Sequence, residues 1–206
     1  MATAQATKSC ITLQGSAQIV SEYLECAVEN ILFLRGVFPD DYFTRKRLYE
    51  LNVVTASDES LKKYLKANLA TISSWIESNK VERLVLVLAN STNDETIERW
   101  EFDIKTDAQA EDDEDATSDK PLKEIQKEIQ AVVRQITTSS TFLPIIEVPC
   151  SFDIILHTKQ GLEMGNEWEI SAPKTIDGAV EVKFKSFDTK LHRVETGVCY
   201  KPSEDL

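Results

Sequence analysis

The segment Val81–Ala89 reads VERLVLVLA, with five consecutive aliphatic residues from Leu84 to Leu88. A run so short and so apolar cannot lie on a surface. Bounded by Asn79 and the polar stretch Ser91–Glu95, it predicts an inner strand covered on both faces. The turn at Ser91–Glu95 then leads into IERWEFDI, Ile97–Ile104. This segment alternates, with Trp100, Phe102 and Ile104 on one side, so the two segments form a hairpin within a larger sheet.

A third strand is predicted further on. From Ile146 to Leu156 every even position is apolar: Ile146, Val148, Cys150, Phe152, Ile154 and Leu156. Pro149 interrupts the run, and a proline has no N–H for a ladder, so the strand belongs at a sheet edge. The odd-numbered backbone row, which includes Pro149, is expected to face the outer side, where one missing bond is tolerable. An edge strand this long needs something to cover it.

Three amphipathic helices precede it. One begins near Ser16 and carries Val20, Tyr23, Leu24, Ala27, Val28, Ile31 and Leu32 on one stripe, with Gly36 as its stop. Asp40–Asn52 reads as a loop with a short strand. Ser57 and Asp58 offer caps to a second helix, striped with Leu61, Tyr64, Leu65, Leu69, Ile72, Trp75 and Ile76. Pro121 opens the third, with Leu122, Ile125, Ile129, Val132, Val133 and Ile136 inward. The acidic stretch Asp107–Asp119 reads as a solvated mobile loop; it lacks the glycine and ligand order of a calcium loop.

Lys159–Leu206 differs in character. It holds four of the six glycines and a lone Trp168. AVEVKF then alternates with Val180, Val182 and Phe184 inward, the alternation slips at Ser186–Phe187, and a last strand is expected near Val194–Tyr200. Helices on one face of a mostly antiparallel sheet make an α+β fold. The tail is a module that must choose where on that sheet to pair.

The formal net charge of −12 argues against non-specific binding to nucleic acid or anionic membranes. No apolar run approaches a membrane span and no signal peptide is evident. Cys10, Cys26, Cys150 and Cys199 lie far apart, without metal-ligand spacing, and read as reduced, mostly buried thiols of an intracellular protein. No nucleotide or nucleophile motif is present, and no cofactor or metal site is expected. His157 and His192 would each serve as a general base, but a surface or satisfied role is the commoner one.

Several stretches in order, Ile11–Ala17, Arg35–Pro39, Glu98–Ile104, Arg134–Thr137 and Thr141–Asp153, resemble motifs of the HORMA-domain family, in its spindle-assembly-checkpoint branch. The resemblance spans nearly the whole chain. It fades in the acidic loop and in Gln160–Ala179, and Pro149 stands where a small polar residue is expected. It implies a single domain over 1–206, with a core over 1–158 and a mobile C-terminal safety belt over 159–206.

In that family an extended partner peptide adds to the edge strand, here Ile146, Val148, Cys150, Phe152 and Ile154. The belt, carrying Trp168, Val182, Phe184 and Tyr200, hides the edge in an open state. In a closed state it moves to the opposite edge and wraps the peptide. The resemblance implies a self-dimer of open and closed conformers through Arg134, Gln135 and Phe142, and an open–closed balance set by Leu13 and Val194; Leu13 reads equally as simple core. The implied partners are the checkpoint scaffold protein and the activator of the anaphase-promoting complex, with a remodelling AAA+ ATPase and its adaptor. The implied role is delaying anaphase, at the kinetochore and in nucleus and cytoplasm. Two alternatives stand beside it: a HORMA adaptor in translesion DNA synthesis or meiotic chromosome axes, and an α+β enzyme acting on a cationic substrate.

Overall fold

The computed structural model describes residues 10–108, 110, 113, 115–159 and 168–202. Three helices, α1 (Leu13–Leu34), α2 (Glu59–Glu77) and α3 (Leu122–Thr138), pack on one face of a five-stranded antiparallel sheet. The sheet contains β4 (Val81–Asn90), β5 (Thr96–Thr106), β7 (Cys150–Thr158), β8 (Val180–Asp188) and β9 (His192–Tyr200), in the order β7-β4-β5-β9-β8. Short strands β1 (Ile11–Thr12) and β6 (Thr117–Ser118) pair with each other, as do β2 (Phe43–Leu48) and β3 (Leu51–Ala56).

The helices start and stop for local reasons. Thr12 caps α1 by accepting a hydrogen bond from Gly15 N–H, which brings the start forward from Ser16 to Leu13. Gly36 (φ 64°) ends it in the left-handed region. Asp58 accepts from Ser60 and Leu61 at the head of α2, as its position in the sequence predicts. Pro121 caps α3 from the non-helical side.

From Leu84 to Ala89, β4 is buried on both faces, and the two faces are covered differently. Leu84, Leu86 and Leu88 join the helix-side core with Trp100, Phe102, Ile104 and Val198. Val85 and Val87 point the other way, where their cross-strand neighbours are Glu101 and Arg99 on β5 and Ile155 and Asp153 on β7. Ion pairs of Arg83 with Glu101 and of Arg99 with Glu101 hold charged heads over that face, while their carbon stems shield the valines.

Several expectations need correction. Asp40–Asn52 is mostly a hairpin strand; β2 turns into β3 at Tyr49–Glu50, both at positive φ, a turn that usually signals itself with glycine or asparagine. The acidic stretch ends in β6, which pairs with β1, and at its start Asp107 N–H bonds to Leu191 O, while positions 109, 111, 112 and 114 of that expected loop lie outside the described residues. Only Cys26 of the four thiols is buried; Cys150 and Cys199 are half-buried and Cys10 is exposed. The slip at Ser186–Phe187 is a β-bulge: the β8–β9 register shifts between Lys183 and Ser186, which returns Phe187 to the core.

A candidate peptide-binding edge

β7 begins at Cys150, not Ile146. Pro149 therefore precedes the strand instead of interrupting it. Ile146 still packs against the core from the preceding loop, while Val148 is 42% exposed. The loop is pinned by Arg35, whose Nη2 donates to Pro144 O at 2.6 Å.

The orientation of the two backbone rows follows from the ends of the strand. Ser91 N–H donates to Pro149 O at 2.9 Å, and Lys159 N–H donates to Lys80 O at 2.9 Å. Both odd positions thus face β4. In an antiparallel strand the rows alternate, so the odd residues Ser151, Asp153, Ile155 and His157 bond to β4. The even row, Cys150, Phe152, Ile154 and Leu156, turns its N–H and C=O groups outward. This reverses the expectation that the odd row faces the outer side. The proline's missing N–H falls on the inner side, at the strand's entry, where no ladder bond is lost from the exposed edge. Among the described residues β7 has one sheet neighbour, β4.

Beside this edge lies a cleft of about 480 Å³ lined by Phe38, Tyr42, Asp58, Ser60, Leu61, Tyr64 and Phe152. Phe38 and Tyr42 stack at 5.6 Å; Phe38 and Tyr64 each meet the Phe152 ring edge-on, at 5.7 and 5.6 Å. Burial first, and then the charge of Asp153, pushes the Tyr64 phenol up from its ordinary value. Burial likewise raises the Cys150 thiol at the head of the strand, with the Glu98 charge adding to it.

Two contacts of the described C-terminal residues flank this edge. Trp168 packs on Trp75, in the last turn of α2, with ring centroids 5.3 Å apart. Lys174 pairs with Asp94 in the β4–β5 turn. The far end of β7, Thr158, lies opposite Val81, and its near end, Cys150, opposite Asn90. The chain from Trp168 to Lys174 therefore retraces the length of β7 before crossing to the other side of the sheet. There Val180 begins β8, which is separated from β7 by the three strands β4, β5 and β9. Val182, Phe184 and Tyr200 are half-buried against the core, with Trp100 and Phe184 centroids 5.9 Å apart.

The other sequence-predicted residues fall in two groups. Arg134 is exposed, Phe142 is 44% exposed and Gln135 is half-buried, all near the C-terminal end of α3. Gln135 Oε1 accepts from Lys185 N–H at 2.7 Å, which ties that end to β8. Leu13 is half-buried as the first residue of α1, and Val194 is fully buried in β9 opposite Ile104 and Phe187. Sequence reasoning missed Phe38, Tyr42 and Tyr64 as one cleft, because a loop, a turn and a helix supply them.

His192 is buried, with Nδ1 2.7 Å from Ser16 Oγ, and burial lowers its pKa to about 4. It is a packed core histidine. His157 ends the edge strand, with Nε2 out of solvent. Among the described residues no group of three or more His, Cys, Asp and Glu side chains is placed to hold a metal.

Three helices on one face of this sheet, with an edge strand and a C-terminal hairpin at the opposite edge, define a HORMA fold. The HORMA domain family model matches residues 16–198, and the chain belongs to that family. It is 43% identical over 205 residues to the mitotic spindle assembly checkpoint protein MAD2A of Dictyostelium discoideum, covering 100% of both chains. It is 42% identical over 191 residues to MAD2A of Homo sapiens, covering 93% of each. A chain in the crystal structure of a mitotic checkpoint complex superposes with a TM-score of 0.82 at 33% identity, covering 91% of this chain and 99% of that one.

Proposed function

We propose that this chain is a spindle assembly checkpoint protein that captures an extended peptide along the outer edge of β7 and clasps it with residues 159–206. The observation that carries the reading is the position of β8 and β9 at the opposite edge. That position leaves the even-numbered row of β7 facing outward, while the segment from Trp168 to Lys174 returns along it. Main-chain hydrogen bonds to the even row supply affinity, and the aromatic cleft around Phe152 supplies side-chain selectivity. The arrangement is the closed state; an open state would bring the hairpin back to β7.

The partners are the checkpoint scaffold protein and the anaphase-promoting complex activator, and their sequestration delays anaphase at kinetochores and in nucleus and cytoplasm. Arg134, Gln135 and Phe142 serve self-association of open and closed conformers. The bond from Lys185 N–H to Gln135 supports this, because it couples the α3 surface to the position of β8. Leu13 and Val194 bias the balance, and an AAA+ ATPase with its adaptor resets it. The activity is binding, not catalysis.

Hydrogen exchange tests the capture step. A bound peptide is expected to protect the amides of Phe152, Ile154 and Leu156, while Asp153 and Ile155, already bonded to β4, change little. Protection confined to the odd row, or absent from β7, would overturn the reading.

A further inference from the structure

The β8–β9 hairpin is joined to α1 by two buried polar contacts. At its turn, Ser16 Oγ lies 2.6 Å from Thr189 Oγ1 and 2.7 Å from His192 Nδ1. Thr189 Oγ1 also accepts from the N–H groups of Leu191 and His192, at 3.2 and 2.8 Å, which fixes the turn that carries the imidazole. Further along, Tyr23 Oη lies 2.7 Å from Thr196 Oγ1. All five side chains are at most 4% exposed.

The spacings of the two contacts match. Ser16 and Tyr23 are two helical turns apart, about 10.5 Å along the axis. His192 and Thr196 are four strand residues apart, about 13 Å, and share a face. Both contacts are satisfied together in one register. A slip by one residue would turn His192 and Thr196 to the outer face of the sheet. A slip by two would set an apolar side chain against the Tyr23 hydroxyl. Val20 lies between Ser16 and Tyr23 along the helix and Val194 between His192 and Thr196 along the strand, both fully buried in one core, and apolar packing of this kind supplies adhesion without registration.

We propose that Ser16, Thr189 and His192, together with Tyr23 and Thr196, form a latch that holds the β8–β9 hairpin at the far edge of the sheet. The inference rests on the clasp reading for its role in peptide retention, though not for the latch itself. The physical ground is asymmetry. A satisfied buried hydrogen bond contributes little net, whereas a buried hydroxyl left without a partner is costly. A detached hairpin exposes these groups to water, where they are satisfied. Removing one partner therefore destabilises only the docked hairpin, and these five groups are positioning residues.

The test is native-state hydrogen exchange on the full chain. Ser16→Ala and Tyr23→Phe are each expected to accelerate exchange about tenfold at the Glu195 and Gly197 amides of β9, with no change at Leu86 in β4. Tyr23→Phe combined with Thr196→Val removes both polar partners and is expected to restore most of the protection. Ser21→Ala is the control, since Ser21 bonds only to Ala17 O within its own helix. Unchanged exchange in β9, equal acceleration at Leu86, or failure of the paired variant to recover overturns the latch. A separate arm measures release of a clasped, fluorescently labelled peptide. If β9 opens faster in Ser16→Ala and release does not, the latch stands and the clasp reading falls.

Discussion

The Arg35 guanidinium and the Glu98 carboxylate face each other almost wholly out of solvent, with side chains 6% and 1% exposed. Arg35 Nε donates to Glu98 Oε2 at 3.1 Å, Trp100 Nε1 donates to the same oxygen at 3.0 Å, and Arg35 Nη2 continues to Pro144 O. One ion pair thus joins the end of α1, an inner strand and the loop leading into β7.

Breaking that pair should be far more harmful than its net contribution suggests, because the surviving charge stays buried. Arg35→Ala is expected to cost about 3–5 kcal/mol, while Glu98→Gln, which can still accept from Trp100, should cost less. Urea denaturation followed by tryptophan fluorescence measures both. A loss below about 1 kcal/mol in Arg35→Ala would mean that the charge on Glu98 is not what Arg35 compensates.

His192 sets a pH dependence whose sign is fixed. Its folded pKa is lowered to about 4 by burial, against an unfolded value near 6.5. Above about pH 6.5 both states hold a neutral imidazole and stability is at its plateau. Between about 6.5 and 4 the unfolded chain binds the proton and the folded chain does not, so stability falls by up to about 3 kcal/mol. Below about pH 4 the loss levels off. The stability difference between wild type and His192→Gln should therefore shrink as pH drops from 7 to 5. A difference that grows on acidification would contradict a neutral buried imidazole.

The β2–β3 turn holds Tyr49 at φ 50° and Glu50 at φ 58°. A side chain in the left-handed region costs roughly 1 kcal/mol, and glycine avoids the clash at some cost in unfolded-state entropy. Glu50→Gly is expected to stabilise the chain by about 0.5 kcal/mol, read as a higher urea midpoint at constant slope. A lower midpoint would show that the Glu50 side chain contributes more than its backbone strain costs.

Val194 is fully buried between Ile104 and Phe187. Val194→Asn would leave an amide unpaired there, at roughly 1–3 kcal/mol against the docked hairpin. The variant should keep native-like circular dichroism and bind peptide poorly. Wild-type binding rate and affinity would remove Val194 from the switch.

Trp168 touches the body of the domain through Trp75. Trp168→Ala should leave the unfolding midpoint nearly unchanged while accelerating peptide release several-fold, since interface changes act mainly on dissociation. The idea is falsified if release is unaffected and stability drops instead, which would make Trp168 a core residue.

The sequence by itself determined the elements that carry a periodic apolar pattern. The stripes of α1, α2 and α3, apart from Tyr64 and Leu122, which stay 47% and 49% exposed, the LVLVL run of β4, the alternation of β5 and even the slip in β8 were legible because burial writes itself directly into side-chain choice. The β2–β3 hairpin was not legible, since Tyr49–Glu50 gives no turn signal. Tertiary structure alone decided where the chain's backbone groups point and where the tail lies. Pro149 implied an edge, but which row faces outward depended on the bonds from Ser91 to Pro149 and from Lys159 to Lys80. Val182, Phe184 and Phe187 form an amphipathic strand wherever they pair. Their place beside β9, with three strands between them and β7, is fixed by contacts such as Ser16–His192 and Tyr23–Thr196, between residues 173 or more positions apart. Periodicity reports which face of an element is buried. It carries no information about the partner that buries it, because apolar burial is non-directional and only the polar contacts formed on folding select one register.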